Sequence, residues 1–168
     1  MTIRIKASRV ALTFLFMLLP TIASAEETST ISYPDTAWIM ISSALVMLML
    51  PGLALFYGGM VRRKNVLSTL MHCFIPLGVI TIQWVLFGYS LAFGNDIGHF
   101  VGDLSKVLFI GIDFKTLSGT IPEYLFSMFQ LMFAIITAAL ISGGMVERVD
   151  FKAYIIFIFI WSTVVYDP

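Results

Sequence analysis

The stretch Phe126-Ser127-Met128-Phe129-Gln130-Leu131-Met132-Phe133-Ala134-Ile135-Ile136-Thr137-Ala138-Ala139-Leu140-Ile141-Ser142-Gly143-Gly144-Met145-Val146-Glu147-Arg148 decides how this chain is read. It carries no charge before Glu147. A helix of 20 residues rises roughly 30 Å, the thickness of a bilayer's hydrocarbon core. Phe129 and Phe133 are four residues apart and so share a face. Ala134, Ala138 and Ala139 make a nearby face of small residues. Such a helix can offer aromatic rings to something passing while another helix comes close on its small side.

The rest of the chain has the same character. Of its 168 residues, 59% are hydrophobic and 12% charged, against about 25% charged in a soluble domain. A fold of this size cannot hide so much apolar surface, so the excess faces a lipid bilayer and the chain is an integral membrane protein. No basic patch exceeds Arg62-Arg63-Lys64, so nothing points to nucleic acid. Cys73 is the single cysteine and can form no intrachain disulfide. With His72 and His99 it matches no usual zinc spacing. No metal site, cofactor or catalytic residue is read, and the chain is not read as an enzyme.

Residues 1–25 read as a signal peptide: Arg4, Lys6 and Arg9, then an apolar run from Val10 to Leu19, then Ala23-Ser24-Ala25 as a cleavage pattern. The rival is an uncleaved anchor, but an apolar run of about ten residues is short for a span. Cleavage leaves residues 26–35 as a periplasmic amino-terminal segment, with Asp35 as the expected N-cap of the first span. Spans are expected over about 36–60, 66–93, 121–146 and 152–166. The first contains Pro51-Gly52 and ends before Arg62-Arg63-Lys64, which the positive-inside rule puts in the cytoplasm. The second contains Pro76.

Residues 94–120 return outside as a loop, whose run Val107 to Ile112 is expected at the interface or over a vestibule. Thr120, Pro122 and Glu123 read as a capping box opening the third span. The chain stops at Asp167-Pro168 without a polar tail, which reads as the amino-terminal part of a longer protein.

Single residues say less. Asp96, His99 and Asp103 read as a solvated loop, and His72-Cys73 as a buried, hydrogen-bonded pair. Gln83 is expected to bond between helices. Gln130 is left open between packing and pore lining, because it sits beside Phe129 and Phe133. Two Phe at helical spacing, in a chain with 15 of them, are by themselves ordinary packing. The functional alternative is a cation site, since ring faces attract a cation by roughly 0.5–2 kcal/mol. No span carries an Asp or Glu in its middle. A permeating species is therefore neutral, or a weakly held cation stripped of water by apolar walls.

Two motifs go further. Pro51-Gly52-Leu53-Ala54-Leu55-Phe56-Tyr57-Gly58-Gly59-Met60-Val61-Arg62-Arg63-Lys64-Asn65 and the stretch Phe129 to Arg148 resemble the ammonium transporter family (Amt/Mep/Rh). Gly88-Tyr89-Ser90-Leu91-Ala92-Phe93-Gly94 is a third match between them. The resemblance covers about residues 35–168. It implies an all-α polytopic fold, with four helices here of an eleven-helix subunit. It also implies a homotrimer, an apolar pore for ammonium or ammonia, and a cytoplasmic PII-type signalling partner.

By matching, Phe129 and Phe133 fall on substrate-recruitment and gate positions. Tyr57 falls at the cytoplasmic end of the pore, and Gln130 beside the gate. His72 and His99 do not match the pore histidines. Ala138 stands where many members carry proline. The signal peptide and loop charges imply a bacterial inner membrane, with the mature amino terminus periplasmic. The rival readings are an ammonium sensor on the same fold and a generic four-helix membrane scaffold. A chain ending at Pro168 is expected not to transport by itself.

Overall fold

The computed structural model describes residues 30–98 and 101–168. The proposed signal peptide and His99 lie outside the described residues. Four apolar helical segments dominate. Helix α1 is Tyr33–Met60 and α2 is Val66–Gln83. A π-turn, Trp84–Gly88, carries α2 into α3, Tyr89–Phe93. Helix α4 is Glu123–Met145, and α5 is Phe151–Trp161, extended by a second π-turn over Ser162–Tyr166. Among the described residues three helical stretches are long and apolar enough to cross a membrane, and the fourth, Phe151–Tyr166, is shorter. Pro51 and Pro76 both sit inside helices that continue past them, as membrane helices tolerate when neighbours re-satisfy the backbone.

Helix α4 is the centre of the bundle. It packs on α1 and α2, while α5 lies against α2. Its small face does what its composition foretold: Ala134, Ala138 and Ala139 are all buried, and close by, Cys73 of α2 and Ser142 of α4 meet at 3.3 Å between Sγ and Oγ. The Tyr154 hydroxyl of α5 donates to the Ala138 carbonyl at 3.2 Å. Side chains such as Trp38, Leu45, Leu48 and Leu55 of α1 remain exposed, the apolar exterior that lipid requires.

The two ends of the bundle are tied by polar contacts. At one end the Ser32 amide donates to the Thr120 carbonyl at 3.0 Å, and the Thr120 hydroxyl to Asp35 Oδ2 at 2.7 Å. At the other, Asn65 Nδ2 donates to Glu147 Oε1 at 2.7 Å. The residues before α1 and the 94–120 loop therefore share one end, and Arg62-Arg63-Lys64 shares the other with Glu147 and Arg148.

Both expected helix starts need correction. Helix α1 is capped by Ser32, whose Oγ accepts the Asp35 amide, so Asp35 lies inside the first turn. Helix α4 begins at Glu123 without a side-chain cap. Thr120 and Glu123 do not form a capping box, because each has a partner from another segment: Asp35 for the first, Lys106 and Tyr89 for the second.

The 94–120 loop is ordered by short pairings. Strands β1 (Asp96–Ile97) and β2 (Val101–Gly102) form one antiparallel ladder, and β3 (Leu117–Ser118) and β4 (Ile121–Pro122) another. Asp103 organises the first, its carboxylate accepting from the Asn95 amide and side chain and from the Ser105 hydroxyl. These bonds hold its carboxyl down at about 2. The loop crosses the end of α3 closely. A Cβ on Gly94 would lie 2.4 Å from the Ser90 carbonyl oxygen and 2.7 Å from that of Asp103, so only glycine fits.

Candidate functional site

The rings of Phe129 and Phe133 meet edge to face, centroids 5.0 Å apart and planes at 78°. That is a favoured aromatic geometry. Phe133 is 39% exposed, although it lies in the middle of the most enclosed helix. The pair therefore sits off the small-residue packing side of α4. Along the same side the Thr137 hydroxyl donates back to the Phe133 carbonyl at 2.7 Å, and Leu140 is exposed. Gln130 is half-buried next to the pair.

Tyr57 of α1 closes this side toward the Arg62-Arg63-Lys64 end. Its hydroxyl donates to the Leu140 carbonyl at 3.1 Å. The ring lies across Gly143, where a Cβ would stand 2.5 Å from the ring carbon Cζ. Glycine at 143 is thus what lets Tyr57 reach α4. Tyr57, Phe133 and Phe129 line one strip of the bundle, with Leu140 about 10 Å along the axis from Phe133 by helical rise.

The helix that carries the pair is held from behind by contacts that local sequence did not foretell. Trp84 Nε1 donates to Ser127 Oγ at 3.2 Å, both side chains buried. The Tyr89 hydroxyl donates to Glu123 Oε1 at 2.8 Å, and Lys106 Nζ lies 2.6 Å from the same oxygen. Lys106 Nζ also stands 5.7 Å from the centroid of the Tyr89 ring. An aromatic cluster fills the space between them: Tyr89 stacks on Phe93 and on Phe109 of the loop, and Phe93 and Phe126 meet edge to face with centroids 5.0 Å apart. The loop run from Val107 is therefore packed on the bundle rather than free. The signal for this support is a contact between distant segments, which no single stretch contains.

The remaining candidates lie elsewhere. Gln83 donates to the Asp167 carboxylate, an interhelical bond as expected. His72 sits near the Arg62-Arg63-Lys64 end, Nδ1 donating to the Ser68 carbonyl at 2.7 Å. Among the described residues no three His, Cys, Asp or Glu side chains gather as metal ligands.

A bundle of apolar, membrane-length helices tied at its polar ends defines an integral membrane protein. The sequence model of the Ammonium Transporter Family matches residues 37–168, and the chain belongs to that family. It is 48% identical over 151 aligned residues to an ammonium transporter of Mycobacterium tuberculosis, covering 80% of this chain and 32% of that protein. It is 49% identical over 138 residues to an ammonium transporter of Bacillus subtilis, covering 80% and 33%. The crystal structure of Candida albicans Mep2 superposes with a TM-score of 0.74 at 36% identity, over 83% of this chain and 31% of that one. The chain thus spans about a third of the length of these relatives.

Proposed function

We propose that the complete protein conducts ammonium or ammonia across a bacterial inner membrane, and that Phe129 and Phe133 recruit the cation and gate its entry. The observation that carries this is the half-exposed, edge-to-face Phe129–Phe133 pair on the unpacked side of α4. A ring face holds a bare cation by roughly 0.5–2 kcal/mol, about a two- to thirtyfold enrichment. A carboxylate at the same depth would hold it far more tightly and slow release. Tyr57, bonded to α4 lower on the same strip, lines the way toward the Arg62-Arg63-Lys64 end, and Gln130 flanks it.

The orientation follows from charge. Arg62, Arg63 and Lys64 all lie exposed at one end, which the positive-inside rule assigns to the cytoplasm. The residues before α1, joined to Thr120 at the other end, are then periplasmic, and Phe129 is in the outer half of α4. The family resemblance supports a homotrimer, with a PII-type protein meeting the basic end.

Methylammonium uptake by the complete protein, wild type against Phe133→Ala, tests the assignment. A changed rate or selectivity is expected, and an unchanged one would remove Phe133 from the path. Ammonium binding without any uptake would favour a sensor on the same fold.

A further inference from the structure

Gln83 of α2 and Asp167, the residue after the second π-turn, meet inside the bundle. Gln83 is wholly buried and Asp167 is 3% exposed. Both groups crowd onto Gly88 of the first π-turn. A Cβ there would stand 2.9 Å from Gln83 Nε2 and from Gln83 Oε1, and 3.1 Å from Asp167 Oδ2.

The hydrogen bonds leave a remainder. Gln83 Nε2 donates to Asp167 Oδ2 and also to Thr163 Oγ1, 3.4 Å away. The Thr163 hydroxyl gives its own proton to the Phe159 carbonyl at 2.8 Å. The donors of the amide and the hydroxyl are then all engaged. Gln83 Oε1 and Asp167 Oδ1 are both buried and without a hydrogen-bond partner among the described residues. Two orphan acceptors on paired groups destabilise the fold until a donor meets them.

Charge sharpens the case. Among the described residues no Lys, Arg or His forms an ion pair with Asp167. The other groups that face it, Gln83, Gly88 and Thr163, are uncharged. Tyr166, next in the chain, is the titratable group beside it. Tyr89, next to Gly88, has its hydroxyl on Glu123 instead. His72 and Cys73 of α2 are about 15 Å or more from Gln83 by helical rise, and Tyr154 and Lys152 are more than three turns back on α5. The second π-turn also packs on α4, which has no charged residue between Glu123 and Glu147. A buried carboxyl without a cation takes up a proton rather than stay charged. That proton also turns one orphan acceptor into a donor for the other. Solvent reaches neither atom, and a proton needs no room.

We propose that Asp167 is a proton-binding residue: protonated at Oδ1, it donates to Gln83 Oε1, and the neutral acid–amide pair latches the second π-turn to α2. Loss of the proton removes that bond and leaves a buried charge, so the latch weakens as pH rises. The latch is independent of the transport reading above.

The test is infrared spectroscopy of the complete protein in lipid vesicles, titrated with acid and base. A protonated carboxyl has a carbonyl stretch distinct from that of a carboxylate. The wild type should show such a band, absent from Asp167→Asn and fading as pH rises. Gln83→Met removes the acceptor and should move the band. Thermal melting supplies the second reading. Asp167→Asn keeps a neutral donor for Gln83 Oε1 at every pH. The protonated form carries the extra bond, so its stabilisation is present at low pH and lost as pH rises. Wild type should therefore lose stability on raising pH relative to Asp167→Asn, and Asp167→Leu should lack the latch throughout. A carboxylate at every pH, a band unmoved by Gln83→Met, or the same pH dependence in wild type and Asp167→Asn would overturn the proposal.

Discussion

Lys106 Nζ lies 2.6 Å from Glu123 Oε1, and this ion pair fastens the 94–120 loop to the first residue of α4. Glu123 is 6% exposed and takes a second bond from the Tyr89 hydroxyl. The Glu123 amide also donates to the Thr116 carbonyl at 2.9 Å. Loop, α3 and α4 therefore converge on one residue, roughly one and two-thirds turns of helix before Phe129.

Replacing Lys106 by Met leaves a buried carboxylate with the Tyr89 hydroxyl as its remaining side-chain donor. Loss of a charged hydrogen bond costs about 1.5–3 kcal/mol. Thermal melting of the complete protein in detergent should show a clear loss for Lys106→Met. Lys106→Met combined with Glu123→Gln should lose less than the two single changes added together, because the pair acts as a unit. Strict additivity would mean that the contact contributes nothing.

Gly143 is where Tyr57 reaches α4, so Gly143→Ala forces a methyl group into the ring. Overpacking of this kind costs about 1–3 kcal/mol. Trimming the ring by Tyr57→Ala in the Gly143→Ala background should recover part of that stability, as melting would show. No recovery would mean that the two residues are not in contact.

Asp103 gives a pH prediction outside the membrane. Its hydrogen bonds to Ser105 and Asn95 hold its carboxyl down at about 2, below the usual 3.8. A depressed carboxyl stabilises its turn above the unfolded value, and the contribution is lost as pH falls through the folded one. The Asp103 side-chain resonance should therefore titrate near pH 2 in the wild type. In a Ser105→Ala variant it should titrate closer to 3.8, and exchange of the Asn95 amide should quicken. An unshifted titration in that variant would count against the hydroxyl as the main cause.

The membrane helices were legible because their signal is length and composition, which survive without knowledge of neighbours. The Phe129–Phe133 face was legible for a similar reason: residues four apart on a helix share a side. Helix starts were not. Thr120 and Glu123 have the spacing of a capping box, yet Asp35, 85 residues away from Thr120, and Lys106 compete for the same side chains and win. The Trp84–Ser127 bond spans 43 residues and depends on the register of two packed helices. The two π-turns are equally hidden, since no residue type marks the extra residue that each accommodates. Tyr57 was placed by family resemblance alone, and its contact with Leu140, 83 residues away along the chain, and with Gly143 depends on the packing of two helices.

The central claim is that ring faces at 129 and 133 draw in a cation. Incorporating mono-, di- and trifluorinated phenylalanine at position 133 of the complete protein drains the negative ring face stepwise while barely changing its shape. Apparent affinity for methylammonium in uptake should fall with each added fluorine, over a total range of about two- to thirtyfold. An affinity that stays flat across the series would contradict the account.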